Sequence, residues 1–346
     1  MIWKIWQRSV GALGVELGPR SVRMVQLHQG DGAGGAAGDG AGGGVAAMAV
    51  RTAGEAELAQ PCAVDDQRYH ELARGALAEL IERVQPTGRR VVTAVPVGAM
   101  HFQNVRLPPM PEAELAEAAR WELSLDDGPR ELRCFNAGEV RHGEQRQMEL
   151  IAMSVRQDYL EAHLAMLDGL GLVVEAIDAV PAALARTVGE QPCVMIAELD
   201  WRGTNVVIAR QGQIAFFKAL PIGLDAIHGR SSAPAQREQP EPAGIGRLAA
   251  GASAPQPGVA ELARELALCL RYHSVTFRGQ RPERLVVAGV GGEQPEIVEA
   301  LGQHTGLEVE AASTPGTLGA SWCVAAGLAL RRVGMGPIHK PQERAA

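Results

Sequence analysis

Residues Gly14 to Leu27 read GVELGPRSVRMVQL, two stretches of alternating character with an acid at Glu16 and a Gly-Pro turn between them. The pattern predicts a tight antiparallel hairpin, because alternate strand residues face one core and Gly-Pro punctuates the chain. Far along the sequence, Val194 to Phe217 repeats the plan as VMIAELDWRGTNVVIARQGQIAFF, with strand, acid (Glu198), turn and strand in the same order. A third stretch, RLVVAGVGGEQPEI from Arg284 to Ile297, is an apolar strand that breaks into glycines before a helix.

Between these landmarks the chain alternates strands and helices. GDGAGGAAGDGAGGG (residues 30–44) has linker composition and lengthens the first hairpin's loop before a returning strand at Val45–Thr52. No glycine there opens a helix after a strand, so it is assigned no ligand. Tyr69–Val84 carries apolar residues at helical spacing, and Arg90–Val95 reads as a buried strand. Next come a strand (Met100–Leu107), a helix (Pro111–Leu125), paired strands (Cys134–Val140 and Met148–Val155) and a helix (Gln157–Leu170). Trp121 is read as a core residue of the first of these helices. Val173–Ile177 returns to the first layer and Asp178–Gly189 forms a connecting helix, with Ala325–Arg332 as its partner. Residues 229–258 are rich in Pro, Ala, Gly and Ser, offer little apolar surface to bury and read as a loop, and Val259–Phe277 resumes as a helix.

Composition narrows the function classes. A chain of 346 residues, 46% hydrophobic, suffices for two lobes with separate cores. A net charge of −7 without a basic block argues against nucleic acid. Only three lysines (Lys4, Lys218, Lys340) stand beside many arginines, so single arginines are discounted as coding bias. The five cysteines are scattered and read as reduced thiols. No apolar run of membrane-spanning length and no signal-peptide pattern occurs, so a cytoplasmic protein is expected. MIWKIWQRSV reads as a packed or frayed terminus rather than a firm interfacial anchor. The chain has no HExxH, GxSxG or Walker A motif, and His28, His101 and His273 read as surface or packed side chains.

In order and spacing, the two hairpins and the glycine-broken strand resemble the phosphate hairpins and adenosine loop of the actin-like ATPase superfamily. The block inserted at residues 100–172, with the words RWE (Arg120–Glu122) and GLALR, resembles its FtsA/PilM branch, and in particular the type IV pilus assembly family PilM. The implied fold is α/β, actin-like (ribonuclease H-like) and two-lobed. Residues 10–99, completed by 173–190 and 315–333, would form the first lobe, 100–172 an FtsA/PilM-type inserted subdomain and 193–314 the second lobe. Residues 30–44 and 229–258 would be flexible loops, 334–346 a disordered tail, and the second lobe's outer subdomain is reduced.

The resemblance also implies ATP with Mg²⁺, in a site made by Glu16, Gly18, Ser21, Glu198, Asp200, Gly289 and Gly291. Turn N–H groups would face phosphate, and Glu16, Glu198 and Asp200 would hold the cation through its waters. This chain departs from that pattern. Pro19 removes a donor from the first turn. Glutamate replaces aspartate in both hairpins, setting each carboxylate about 1.5 Å further out. Asp200 stands where the family has glycine, and a like charge near ~4 Å costs about 4 kcal/mol at an effective dielectric of ~20, roughly a thousandfold in affinity. Arg20 could pair with a phosphate, though an exposed turn arginine is the commoner case. Binding of ATP and Mg²⁺ is therefore expected to be weak or absent.

The resemblance then implies a scaffold that binds the cytoplasmic tail of a PilN-like inner-membrane protein and sits at the membrane only through it. Arg120 and Glu122 border the implied functional face, and the family leaves room for self-association. Two other readings stay open at this stage: an active ATPase or small-molecule kinase, and an FtsA-like division protein. The polar, proline-broken stretch from Gly334 speaks against the latter's terminal membrane helix, and the absence of a span against a GspL-type secretion protein.

Overall fold

The computed structural model describes residues 10–29, 48–123, 128–142, 145–229, 257–277 and 281–331. The Gly-rich loop, most of the 229–258 stretch, the tail and the N-terminal segment lie outside them.

The first hairpin forms as β1 (Val10–Leu17) and β2 (Ser21–Gln29), and β3 (Met48–Glu57) runs further than the sequence suggested, on β2's free edge. After α1 (Tyr69–Val84), β4 (Arg90–Val95) pairs parallel with β1. The insertion follows as β5 (Met100–Leu107), α2 (Glu112–Leu123), β6 (Arg130–His142), β7 (Gln145–Arg156) and α3 (Gln157–Asp168). The chain returns through β8 (Val173–Ala179) and α4 (Val180–Thr187). The second half runs β9 (Val194–Leu199), β10 (Thr204–Arg210), β11 (Gln213–Leu220), α5 (Leu224–Ile227) and α6 (Pro257–Phe277). It closes with β12 (Arg284–Ala288), α7 (Pro295–Thr305), β13 (Glu308–Ala311) and α8 (Cys323–Ala329).

The two large sheets have one topology. Orders β3-β2-β1-β4-β8 and β11-β10-β9-β12-β13 each join an antiparallel meander to two parallel strands. Even the hairpin registers match: Glu16 faces Arg23 on β2, and Glu198 faces Asn205 on β10. Gly18 and Asp200 therefore hold equivalent turn positions, and their N–H groups make equivalent bonds to the Ser21 and Gly203 carbonyls (2.9 and 3.0 Å).

The helices α4 and α8 cross between the sheets at a contact only glycine permits. A Cβ on Gly327 would lie 2.1 Å from the Ala183 carbonyl oxygen, and one on Gly14 equally close to that of Ala325. Arg186 and Arg331 both pair with the buried Asp178, fixing the ends of this crossing.

The third sheet, β5-β7-β6, is the insertion's own, and its central strand β7 is buried on both faces. Alternation along β7 sends Leu150 and Ala152 toward Leu115, Ala119 and Leu123 of α2, and Ile151 and Met153 into the core between the lobes. There Phe102 meets Phe217 of β11 at 4.3 Å between ring centroids. Sequence reasoning placed Trp121 in a core; it is 82% exposed. The buried stripe of α2 is Leu115, Ala119 and Leu123, at steps of four, and Trp121 falls two residues off it, on the outward side.

Candidate functional site

Both hairpin turns open onto a cleft of about 340 Å³ between the lobes, lined among others by Glu16, Pro19, Asp65, Glu198, Asp200 and Arg202. Parallel strands bring their carboxyl ends here, the usual position for a ligand in open α/β sheets. Of the residues assigned to the site from sequence, Glu16, Gly18, Glu198 and Asp200 line the cleft. Ser21 turns aside and donates its hydroxyl to Glu55 (2.6 Å). Gly289 and Gly291 do not line it. A Cβ on Gly289 would lie 2.6 Å from the Leu199 carbonyl oxygen and one on Gly291 2.4 Å from its side chain, so both glycines let β12's end close on the second hairpin. Arg120 and Glu122 lie exposed on α2, with Arg120 donating to the Arg130 carbonyl (3.4 Å).

Sequence reasoning passed over Arg23 and expected Arg20 to be an exposed turn residue. Arg23, 12% exposed at its side chain, holds Glu16 (3.3 Å) and Glu55 (2.9 Å). Arg20 is not a free turn arginine, because its guanidinium pairs with Asp225 (2.7 Å) and lies over the Trp201 ring at 4.3 Å. The register itself signalled Arg23, directly across the hairpin from Glu16. Nothing local signalled Asp225.

Burial dominates the cleft's electrostatics. It pushes the Glu16 carboxyl up to about 7, against the pull of Arg23 and with the help of Asp200's charge. Burial, then Asp200 and Glu16, push Glu198 up to about 8, although the Asn205 amide donates to it at 2.5 Å. Asp200 is raised as well, again first by burial.

A triphosphate with Mg²⁺ needs free turn N–H groups and carboxylates able to face a cation. Gly18's N–H is spent on the Ser21 carbonyl and Pro19 has none. Asp200's N–H is spent on the Gly203 carbonyl, and Asp200 caps the Trp201 N–H with its own carboxylate (2.7 Å). Glu16's two oxygens accept from Arg23 and the Ala325 N–H (both 3.3 Å). Among the described residues no three His, Cys, Asp or Glu side chains converge to hold a metal. Gly18, Pro19, Asp200 and Glu16 therefore offer no free group to a phosphate or a cation.

No family model matches the chain, and no curated protein does. Solved structures do match. One from the PilM–PilN type IV pilus biogenesis complex has a TM-score of 0.69 at 19% identity, covering 92% of this chain and 98% of that one. The ethanolamine utilization protein EutJ of Carboxydothermus hydrogenoformans gives 0.48 at 14% identity (93% and 89% covered). The cytoplasmic domain of EpsL from the Vibrio cholerae type II secretion system gives 0.41 at 14% (81% and 82%). With its twin sheets, crossing helices and inserted third sheet, the chain has the two-lobed actin-like fold and is similar to PilM.

Proposed function

We propose that this protein is a cytoplasmic actin-like scaffold of type IV pilus or related secretion assembly. It binds the cytoplasmic tail of a PilN-like inner-membrane protein, which holds it at the membrane, and its nucleotide site is degenerate. The observation that carries this reading is similarity over nearly the whole of both chains to the pilus complex structure. In this reading residues 10–99, 173–190 and 315–333 make the first lobe, 193–314 the second, and 100–172 with the adjoining first lobe receive the tail, with Arg120 and Glu122 at the border. Extended tails dock by main-chain hydrogen bonds at sheet edges, and β5 and β6 each present one. In this reading the chain works as a scaffold rather than by catalysis: Glu16, Gly18, Glu198 and Asp200 are what remains of the nucleotide site at the cleft, while Ser21, Gly289 and Gly291 have structural contacts instead. Among the described residues no helix is long and apolar enough to cross a membrane.

The test is fluorescence polarisation with a labelled synthetic tail from a PilN-like protein encoded beside this one. Saturable binding with a Kd on the order of micromolar, unchanged by Mg-ATP, is expected. Changes within residues 100–172 should weaken it roughly tenfold. Absence of saturable binding to the folded protein removes the reading.

A further inference from the structure

Arg20 sits on the turn of the first hairpin, whereas Trp201 and Asp225 belong to the second lobe, so their contact spans the cleft's mouth. The receiving half is rigid. The Leu224 and Asp225 N–H groups bond to the Asp200 and Trp201 carbonyls (both 2.9 Å), strapping α5 to the second turn. Gly223 allows that approach, since a Cβ there would lie 2.4 Å from both the Gly203 nitrogen and the Trp201 oxygen. The donating half is fixed too: the Leu58 and Cys62 N–H groups bond to the Arg20 and Pro19 carbonyls (2.8 and 2.9 Å). A planar guanidinium can lie flat on an indole while its edge pairs with a carboxylate, whereas a compact ammonium has no planar face to stack. Behind it, Arg23 pairs with Glu16 and Glu55 of its own lobe and is drawn electrostatically by Asp200 of the other.

We infer that the two lobes are clasped shut by the chain itself, with Arg20 on Trp201 and Asp225 as the clasp, so that closure needs no bound nucleotide or cation. In folds of this kind a ligand between two lobes normally favours the closed state by touching both. Here protein guanidinium groups already span the gap. The inference rests on the two-lobed fold, and its readout, an interlobe distance, is separate from any binding to a tail.

Spin labels at the exposed Glu79 on α1 and Glu299 on α7 report that distance by pulsed electron resonance in the full chain. The expected wild-type result is one narrow distribution, identical with and without Mg-ATP. Arg20→Ala should add a longer, broader population. Asp225→Asn, which keeps the side chain's shape, should do the same, and the double variant should add little to either. Arg20→Lys, keeping charge without the planar stack, should fall between. Circular dichroism at matched temperature verifies that each variant is folded. A broad wild-type distribution, a wild-type closure on adding Mg-ATP, or an unchanged distribution in folded Arg20→Ala and Asp225→Asn overturns the inference.

Discussion

Glu16 and Glu198 hold protons at pH values where the unfolded chain has released them, and the sign of the consequence follows. Their ordinary value is 4.5 and their folded values are about 7 and 8, so the folded state binds more protons across that interval. Stability is then lost as pH rises, until both are ionised. His163 and His273 act the opposite way. Burial pushes both down to about 4 from 6.5, so stability is lost as pH falls below 6.5 toward 4. The two effects oppose each other below pH 6.5, and only the carboxylates act above it. Denaturant unfolding should therefore show a decline between pH 6.5 and 8. Glu198→Gln, which keeps an acceptor for Asn205, should remove about 2 kcal/mol of that decline; an equally steep fall in the variant would refute the assignment. The hairpin acids were legible in the sequence because they occupy fixed places before a turn. The roles of Arg20 and Arg23 were not, since in an arginine-rich chain each looks ordinary, reading Arg23 needs the hairpin register, and Arg20's partner lies 205 residues away.

At the level of elements, β-alternation located most strands, while the insertion's first helix, α2, was expected to bury Trp121, which it turns outward. Leu115, Ala119 and Leu123 already define a stripe, and a single large aromatic outweighed it in the reading. The packing predicts that Trp121→Ala shifts the melting temperature by no more than about 2 °C, because almost no area is lost from a core. Indole emission should also show an acrylamide-accessible component that disappears in the variant. A large loss of stability would mean that Trp121 packs against something. The crossing of α4 and α8 behaves oppositely. Gly327→Ala pushes a methyl group against a backbone oxygen that cannot swing aside, and should cost about 3 kcal/mol by chemical denaturation. A cost below ~1 kcal/mol would show that the helices can separate. The word GLALR was visible in the sequence, but the reason for its glycine lies in a helix more than a hundred residues earlier.

For the whole molecule, duplication of one sheet plan was readable because two hairpins recur with the same punctuation. How the insertion joins the lobes was not, since a central strand buried on both faces, as β7 is, does not name the partner on either side. In the structure it also touches the second lobe directly. Glu149, 2% exposed, accepts from Arg106 of β5 (2.6 Å) and from the Tyr272 hydroxyl of α6 (3.1 Å). Arg210 of β10 donates to the Ala137 carbonyl of β6 (3.0 Å). One hydrophobic core contains Val92 of the first sheet, Ile151 and Met153 of the insertion, Ile196 and Phe217 of the second sheet, and Val324 of α8. A core shared by three parts couples their unfolding, because none can unfold without exposing the others' apolar surface. Scanning calorimetry should accordingly give one transition whose calorimetric and van't Hoff enthalpies agree. Met153→Ala, which deletes a buried side chain from the shared core, should lower that single transition by the equivalent of about 2–4 kcal/mol without splitting it. A second, earlier transition in the variant, confined by hydrogen exchange to residues 100–156, would show instead that the insertion folds as a unit of its own.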